Sequence, residues 1–169
     1  MVAEVIHNTA SQWQSAPDKA KGRPSVTARL DRRRAVIESG SFSWTTDLPT
    51  SLGGTNQSPS PTAMLLGALA GCAVVFIKDT LAPQLGIPVD GIRATVSCDS
   101  DARGLLGLDG ASAALDNVHV DLQIESPAGD AAVERLLDVW RQRCPVYLAL
   151  TRPLEVTLAT TVIDPYAAP

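Results

Sequence analysis

The sequence predicts an α+β fold. Strand-like segments with period-2 alternation follow one another across short turns, as antiparallel neighbours do, and the helical segments do not alternate one for one with them as βαβ winding requires. The order is three strands, a long apolar helix, two strands, an amphipathic helix and a last strand, with no internal repeat. With 169 residues, 45% of them hydrophobic, the chain is one domain with material for a sizeable core.

Residues 1–25 contain Pro17, Gly22 and Pro24 among Lys, Ala and Ser, show no clear period, and read as an N-terminal arm. "SVTARL" (Ser25 to Leu30) and "RAVIES" (Arg34 to Ser39) flank a charged turn, and "SFSWTT" alternates Phe42 and Trp44 with hydroxyl residues. Together they predict an antiparallel meander with one buried face. "LGGTNQSPSP" has the composition of a loop. Ser60 before Pro61 is an N-cap followed by a proline at the first helical position, which sets a helix from about Pro61 to Thr80, ended by Pro83 and Gly86. Because it is apolar on every side, it is expected to be buried all round. Ala63, Gly67 and Gly71 form a small-residue stripe along which another helix could approach.

"GIRATVSCDS" and "NVHVDLQIE" alternate as half-buried strands. The Gly-rich stretch Gly104 to Gly110 lacks the Gly-Lys-Ser/Thr ending of a phosphate loop, so it reads as the connection of a hairpin. Asp130 is placed to cap a helix with the apolar face Val133, Leu136, Leu137, Trp140 and next Cys144. "LEVTLATTVI" (Leu154 to Ile163) is the expected closing strand, and 165–169 a C-terminal tail.

Composition excludes several function classes. Lys and Arg number 14 against 18 Asp and Glu, a net charge of −4, which gives no electrostatic basis for nucleic acid or an anionic membrane. The run Arg32-Arg33-Arg34 follows Asp31, has no interleaved aromatic residues, and reads as a turn rather than a binding patch. The N-terminus has no basic start, apolar stretch or cleavage site, and the longest apolar stretch, Ala63 to Ile77, falls short of the roughly 18 residues of a membrane span. A cytoplasmic protein with no membrane partner is the expectation. Two histidines, with no Cys-x-x-Cys or His-Glu-x-x-His, give no metal site. His7 in the arm and His119 on a polar strand face make unconvincing bases.

That leaves the three cysteines. Cys72 stands some three turns inside an apolar helix, where the helix dipole helps little; on its residues alone it reads as core filling, a small hydrophobe, and as a thiolate it would need a cation to reach it. Cys144 precedes Pro145, which disfavours an α conformation at Cys144 and starts a second helical piece, so its thiol stands at a helix N-terminus, a setting that lowers a cysteine pKa. Cys98 alternates with core residues near a strand end and reads as structural.

"SPSPTAMLLGALAGC" followed by "RCPVYLAL", with "DLPTSLGGTN" before the first cysteine and "LGIPVDGIRATVSC" after it, resembles the OsmC/Ohr family of organic hydroperoxide reductases over roughly Val26 to Ile163. The resemblance implies an OsmC-like domain over 26–164: antiparallel sheets enclosing two central helices in an intertwined homodimer, with active sites at the subunit interface. It implies catalytic roles for Cys72, as the peroxidatic cysteine that attacks the O–O bond of an organic or lipid hydroperoxide, and for Cys144, as the resolving cysteine that forms a disulfide with it. A small or protein-bound dithiol would then reduce that disulfide. It implies no metal and no organic cofactor. A Glu that the strongly active members carry ten residues before the peroxidatic cysteine is here Thr62. Arg29 and Arg34, on the first hairpin, are the candidate thiolate partners. The departure at Thr62 supports an alternative: a non-catalytic dimeric module that binds an apolar ligand or senses redox state.

Overall fold

The protein is represented by a computed structural model, which describes residues 2–163. Two antiparallel sheets and a central helix organise it. The first sheet is the meander β1 (Thr27–Asp31), β2 (Arg34–Ser39) and β3 (Phe42–Thr46), in the order β1-β2-β3. Asp31 pairs with Arg34, so Arg32 and Arg33 form a two-residue hairpin turn. Arg32 has φ +58, the first-position geometry for which such turns select glycine. Placing a side chain there costs on the order of 1 kcal/mol.

The helix expected from Pro61 starts as predicted: the Ser60 hydroxyl accepts from the Ala63 N–H, and Pro61 opens α2 (Pro61–Phe76). It then runs further than the sequence suggested, through a wide π turn (Ile77–Leu81) and a final turn, α3 (Ala82–Leu85). Pro83 has no N–H to give and its ring would crowd the preceding turn; the widened ladder just before it lets the chain carry the proline instead of stopping. Gly86 ends the helix with φ +65 and an N–H on the last carbonyls. Unbroken from Pro61 to Leu85, the helix is long and apolar enough to cross a membrane by length and composition, whereas the apolar run in the sequence alone is too short.

β4 (Gly91–Ser100) and β5 (Leu115–Glu125) form the second sheet, connected by the Gly-rich segment with the single turn α4 (Ala102–Leu105). Then come α5 (Asp130–Arg143), which Gly129 rather than Asp130 precedes as cap, and α6 (Pro145–Thr151). The core lies where α2, its π turn, α5 and the β4-β5 sheet meet. Leu69, Ala73, Ile77 and Leu81 from the long helix bury against Leu136, Trp140 and Cys144. Each large apolar side chain hidden there stabilises the fold by about 1.5–3 kcal/mol.

Four expectations are corrected. The arm is not irregular: α1 (Val2–Ser15) is a helix, followed by a 3₁₀ turn at Pro17–Ala20, and it rests on α3 and the π turn without burying any residue fully. The long helix is not buried all round, since Leu65 and Val75 are 39% and 56% exposed and a Cβ on Gly67 or Gly71 would meet nothing within 4 Å. The first sheet has no buried face; Leu30 is 78% and Phe42 73% exposed. Residues 154–163 form no strand, because no sheet edge of this chain pairs with them; Val156 and Leu158 stand in solvent. The expected tail, 165–169, lies outside the described residues.

Candidate active site

The two helical cysteines meet. Cys72 lies on α2 between the buried Leu69 and Ala73, itself half-buried, and Cys144 is fully buried at the joint of α5 and α6. The joint follows from Pro145: Cys144 takes φ −69 and ψ 114, extended rather than helical, and turns its side chain back over the first turn of α6. Its N–H donates to Trp140 O (2.8 Å), and the Tyr147 N–H points at its sulfur (3.5 Å). The Trp140 and Tyr147 rings pack 5.0 Å apart on either side of this break. The Trp140 indole N–H is buried without an acceptor.

Cys72 Sγ stands 3.1 Å from Cys144 Sγ. This is hydrogen-bond contact between two thiols, about 1 Å longer than the 2.03–2.05 Å of a disulfide. Small side-chain motion therefore suffices to join them. Burial, foremost, and then the hydrogen bond and charge repulsion from Cys144 push the Cys72 thiol up to about 11; the Val146 N–H pulls weakly the other way. No cation is among the groups that act on it. Arg29 sits on β1 opposite Val36, and Arg34 faces Asp31 at 3.8 Å. Neither arginine of the first hairpin supplies Cys72 with a positive charge inside its own chain. Cys98 is half-buried beside the register shift between Ser97 and Asp99, a free thiol.

One residue that shapes the approach to α2 was not singled out from the sequence. Asp47, 3% exposed at the end of β3, accepts from the N–H groups of Leu48, Thr55 and Gln57 and from the Thr55 hydroxyl. These donors hold its carboxyl far below the usual carboxylate range, the Thr55 hydroxyl most strongly. Thr46 Oγ1 and Asp47 N both donate to Pro59 O, so the loop is tied to β3 directly before the Ser60 cap. Gly54 is required here, because a Cβ would sit 1.9 Å from Leu48 O. The Asp-to-Thr spacing in "DLPTSLGGT" is the available sequence signal, but loop closure around one carboxylate has no period to reveal it.

The family model for OsmC-like protein matches residues 54–159, which contain both thiols and the helices that carry them. The chain belongs to the OsmC-like protein family. Solved structures agree on the fold. An OsmC-like protein from Mycoplasma pneumoniae superposes with a TM-score of 0.65 at 22% identity, covering 78% of this chain and 89% of its own. An organic hydroperoxide resistance protein, OsmC, from Legionella pneumophila gives a TM-score of 0.58 at 18% identity, over 76% and 89%. No curated protein matches the chain. Within this OsmC-like fold, the α2 thiol and the thiol of the α5–α6 joint are the one pair of cysteine sulfurs in contact among the described residues.

Proposed function

We propose that this OsmC-like protein is a thiol-dependent reductase of organic hydroperoxides, with Cys72 as nucleophile and Cys144 as resolving cysteine. The observation that carries the reading is the 3.1 Å contact between a half-exposed and a fully buried thiol. Only Cys72 is open to a substrate, and Cys144 waits behind it. The Cys72 thiolate attacks the O–O bond of the hydroperoxide, giving a sulfenic acid and an alkoxide that takes a proton to leave as the alcohol. Cys144 then attacks that sulfur, water leaves, and a disulfide forms. An external dithiol, small or protein-bound, returns both thiols. A sulfenic acid with a second thiol this close is protected from further oxidation, and the apolar walls suit an alkyl or lipid peroxide. That the Legionella relative is an organic hydroperoxide resistance protein supports the same substrate class.

The site is completed by a second copy. At 17.8 kDa a compact monomer exposes about 8,000 Å², whereas this chain exposes 12588 Å². Exposed large apolar side chains stand on the first sheet (Leu30, Phe42), on one side of α2 (Leu65, Val75) and along the unpaired 154–163 segment (Val156, Leu158, Val162). Two copies that cover these from one another make an intertwined homodimer, with room for the two glycine stripes to lie close. In that dimer a cation for Cys72 comes from the partner; the reading is supported by the lack of any cation among the groups of its own chain that act on the thiol.

The test is peptide mass spectrometry after one equivalent of cumene hydroperoxide. The expected product is a Cys72–Cys144 disulfide that dithiothreitol reverses; Cys72→Ser stops peroxide consumption, and Cys144→Ser accumulates sulfinic acid at Cys72. Unmodified thiols after prolonged exposure, or full turnover by Cys72→Ser, would overturn the assignment. The Thr62 position and the high Cys72 pKa favour the second reading, a redox sensor or apolar-ligand module, which would oxidise slowly and not turn over.

A further inference from the structure

A cleft of about 260 Å³ opens between the β1–β2 turn and the loop that Asp47 holds, lined by Asp31, Arg32, Arg33, Arg34, Thr55 and Gln57. The run Arg32-Arg33-Arg34 forms the turn that the sequence predicts, and from the cleft it also lines, contrary to its reading as a turn alone, we infer an anion-binding site that takes a small molecule bearing a carboxylate or phosphate group.

Three features argue for it. The chain has a net charge of −4, yet three of its 14 basic residues stand consecutively at one turn and line one cavity. Of these three, only Arg34 has a carboxylate partner among the described residues, Asp31 at 3.8 Å, so the Arg32 and Arg33 guanidinium groups keep their donors for a ligand. Arg32 also stands with φ +58, where glycine or asparagine forms the hairpin without strain. A turn that needs no charge to close has taken two, and holds one in an unfavourable backbone conformation. The opposite wall is firm. Thr55 and Gln57, which line the cavity, are fixed by their N–H bonds to Asp47, whose negative charge is spent on those loop donors. Guanidinium groups bind carboxylate and phosphate oxygens in paired hydrogen bonds, and the volume admits such a group with a short organic body. No cysteine of the same chain lines the cleft, and the ligand contacts are assigned to Arg32 and Arg33 and not to Arg34, the candidate partner of the Cys72 thiolate.

The full-length protein is titrated at constant ionic strength with inorganic phosphate and separately with octanoate. Binding is read by isothermal calorimetry and by amide NMR shifts at Thr55 and Gln57; thermal melting is followed without added anion. Wild type is expected to bind with shifts at both residues. Arg32→Gly and Arg33→Gln each weaken binding about 10- to 100-fold, the loss of one charge-assisted contact. Arg32→Gly also melts at a higher temperature than wild type in the absence of anion, because the strain is relieved. Tighter binding of phosphate points to a phosphorylated ligand; tighter binding of octanoate points to a fatty-acid headgroup. The proposal is overturned if neither anion shifts Thr55 or Gln57, or if both arginine variants bind as wild type does.

Discussion

Replacing Leu158 by Asp separates what the chain needs from what a pair of chains needs. Leu158 is 92% exposed in the single chain and lies in a segment with no strand partner, so an aspartate there removes no contact from the fold. In a dimer that pairs 154–163 with the other copy and covers its alternating apolar face, the same leucine is buried. Its loss then costs about 1.5–3 kcal/mol, and each dimer carries it twice. The dissociation constant should rise by about two to four decades, before any cost of desolvating the new carboxylate. Sedimentation equilibrium reads this directly: wild type at twice 17.8 kDa at micromolar concentration, Leu158→Asp shifted towards the single-chain mass, with far-UV circular dichroism of the helices retained. A wild type at the single-chain mass, or a variant dimer as tight as wild type, would refute the reasoning from exposed surface.

Two further outcomes follow from titration. In a monomeric variant such as Leu158→Asp, alkylation of Cys72 should rise with a midpoint near 11, and in the dimer the midpoint should fall by at least one unit as a partner cation favours the thiolate; identical midpoints would mean no cation arrives. Since the folded Cys72 thiol holds its proton beyond the unfolded value of 9.0, its contribution to stability is complete below pH 9 and is lost as pH rises towards 11. Asp47 acts in the opposite sense. Its folded pKa lies below the unfolded 3.8, so its contribution is complete above that value and fades as pH falls through the more acidic folded pKa. Asp47→Asn should therefore flatten the acid limb of the stability curve below pH 4 in urea titrations, and an unchanged limb would remove Asp47 from the account of how the loop is held.

The sequence by itself determined the elements whose signals are local. Ser60 and Pro61 placed the start of α2 because a cap and a proline act on their own turn. Alternation placed β2 and β4 at Arg34–Ser39 and Gly91–Ser100, because side-chain direction repeats with the chain. Pro145 placed the break at Cys144, because a proline constrains the residue before it. The two cysteines on apolar helix faces were visible as candidates for the same reason. Tertiary structure alone decided what depends on residues far apart or on another chain. Only packing of α2 against α5 and α6 brings sulfurs 72 residues apart to 3.1 Å; only loop closure lets Asp47 gather Thr55 and Gln57. Leu154 to Ile163 carries every local mark of a strand and forms none here, because a strand is defined by the neighbour that accepts its hydrogen bonds, and no strand of this chain pairs with that segment.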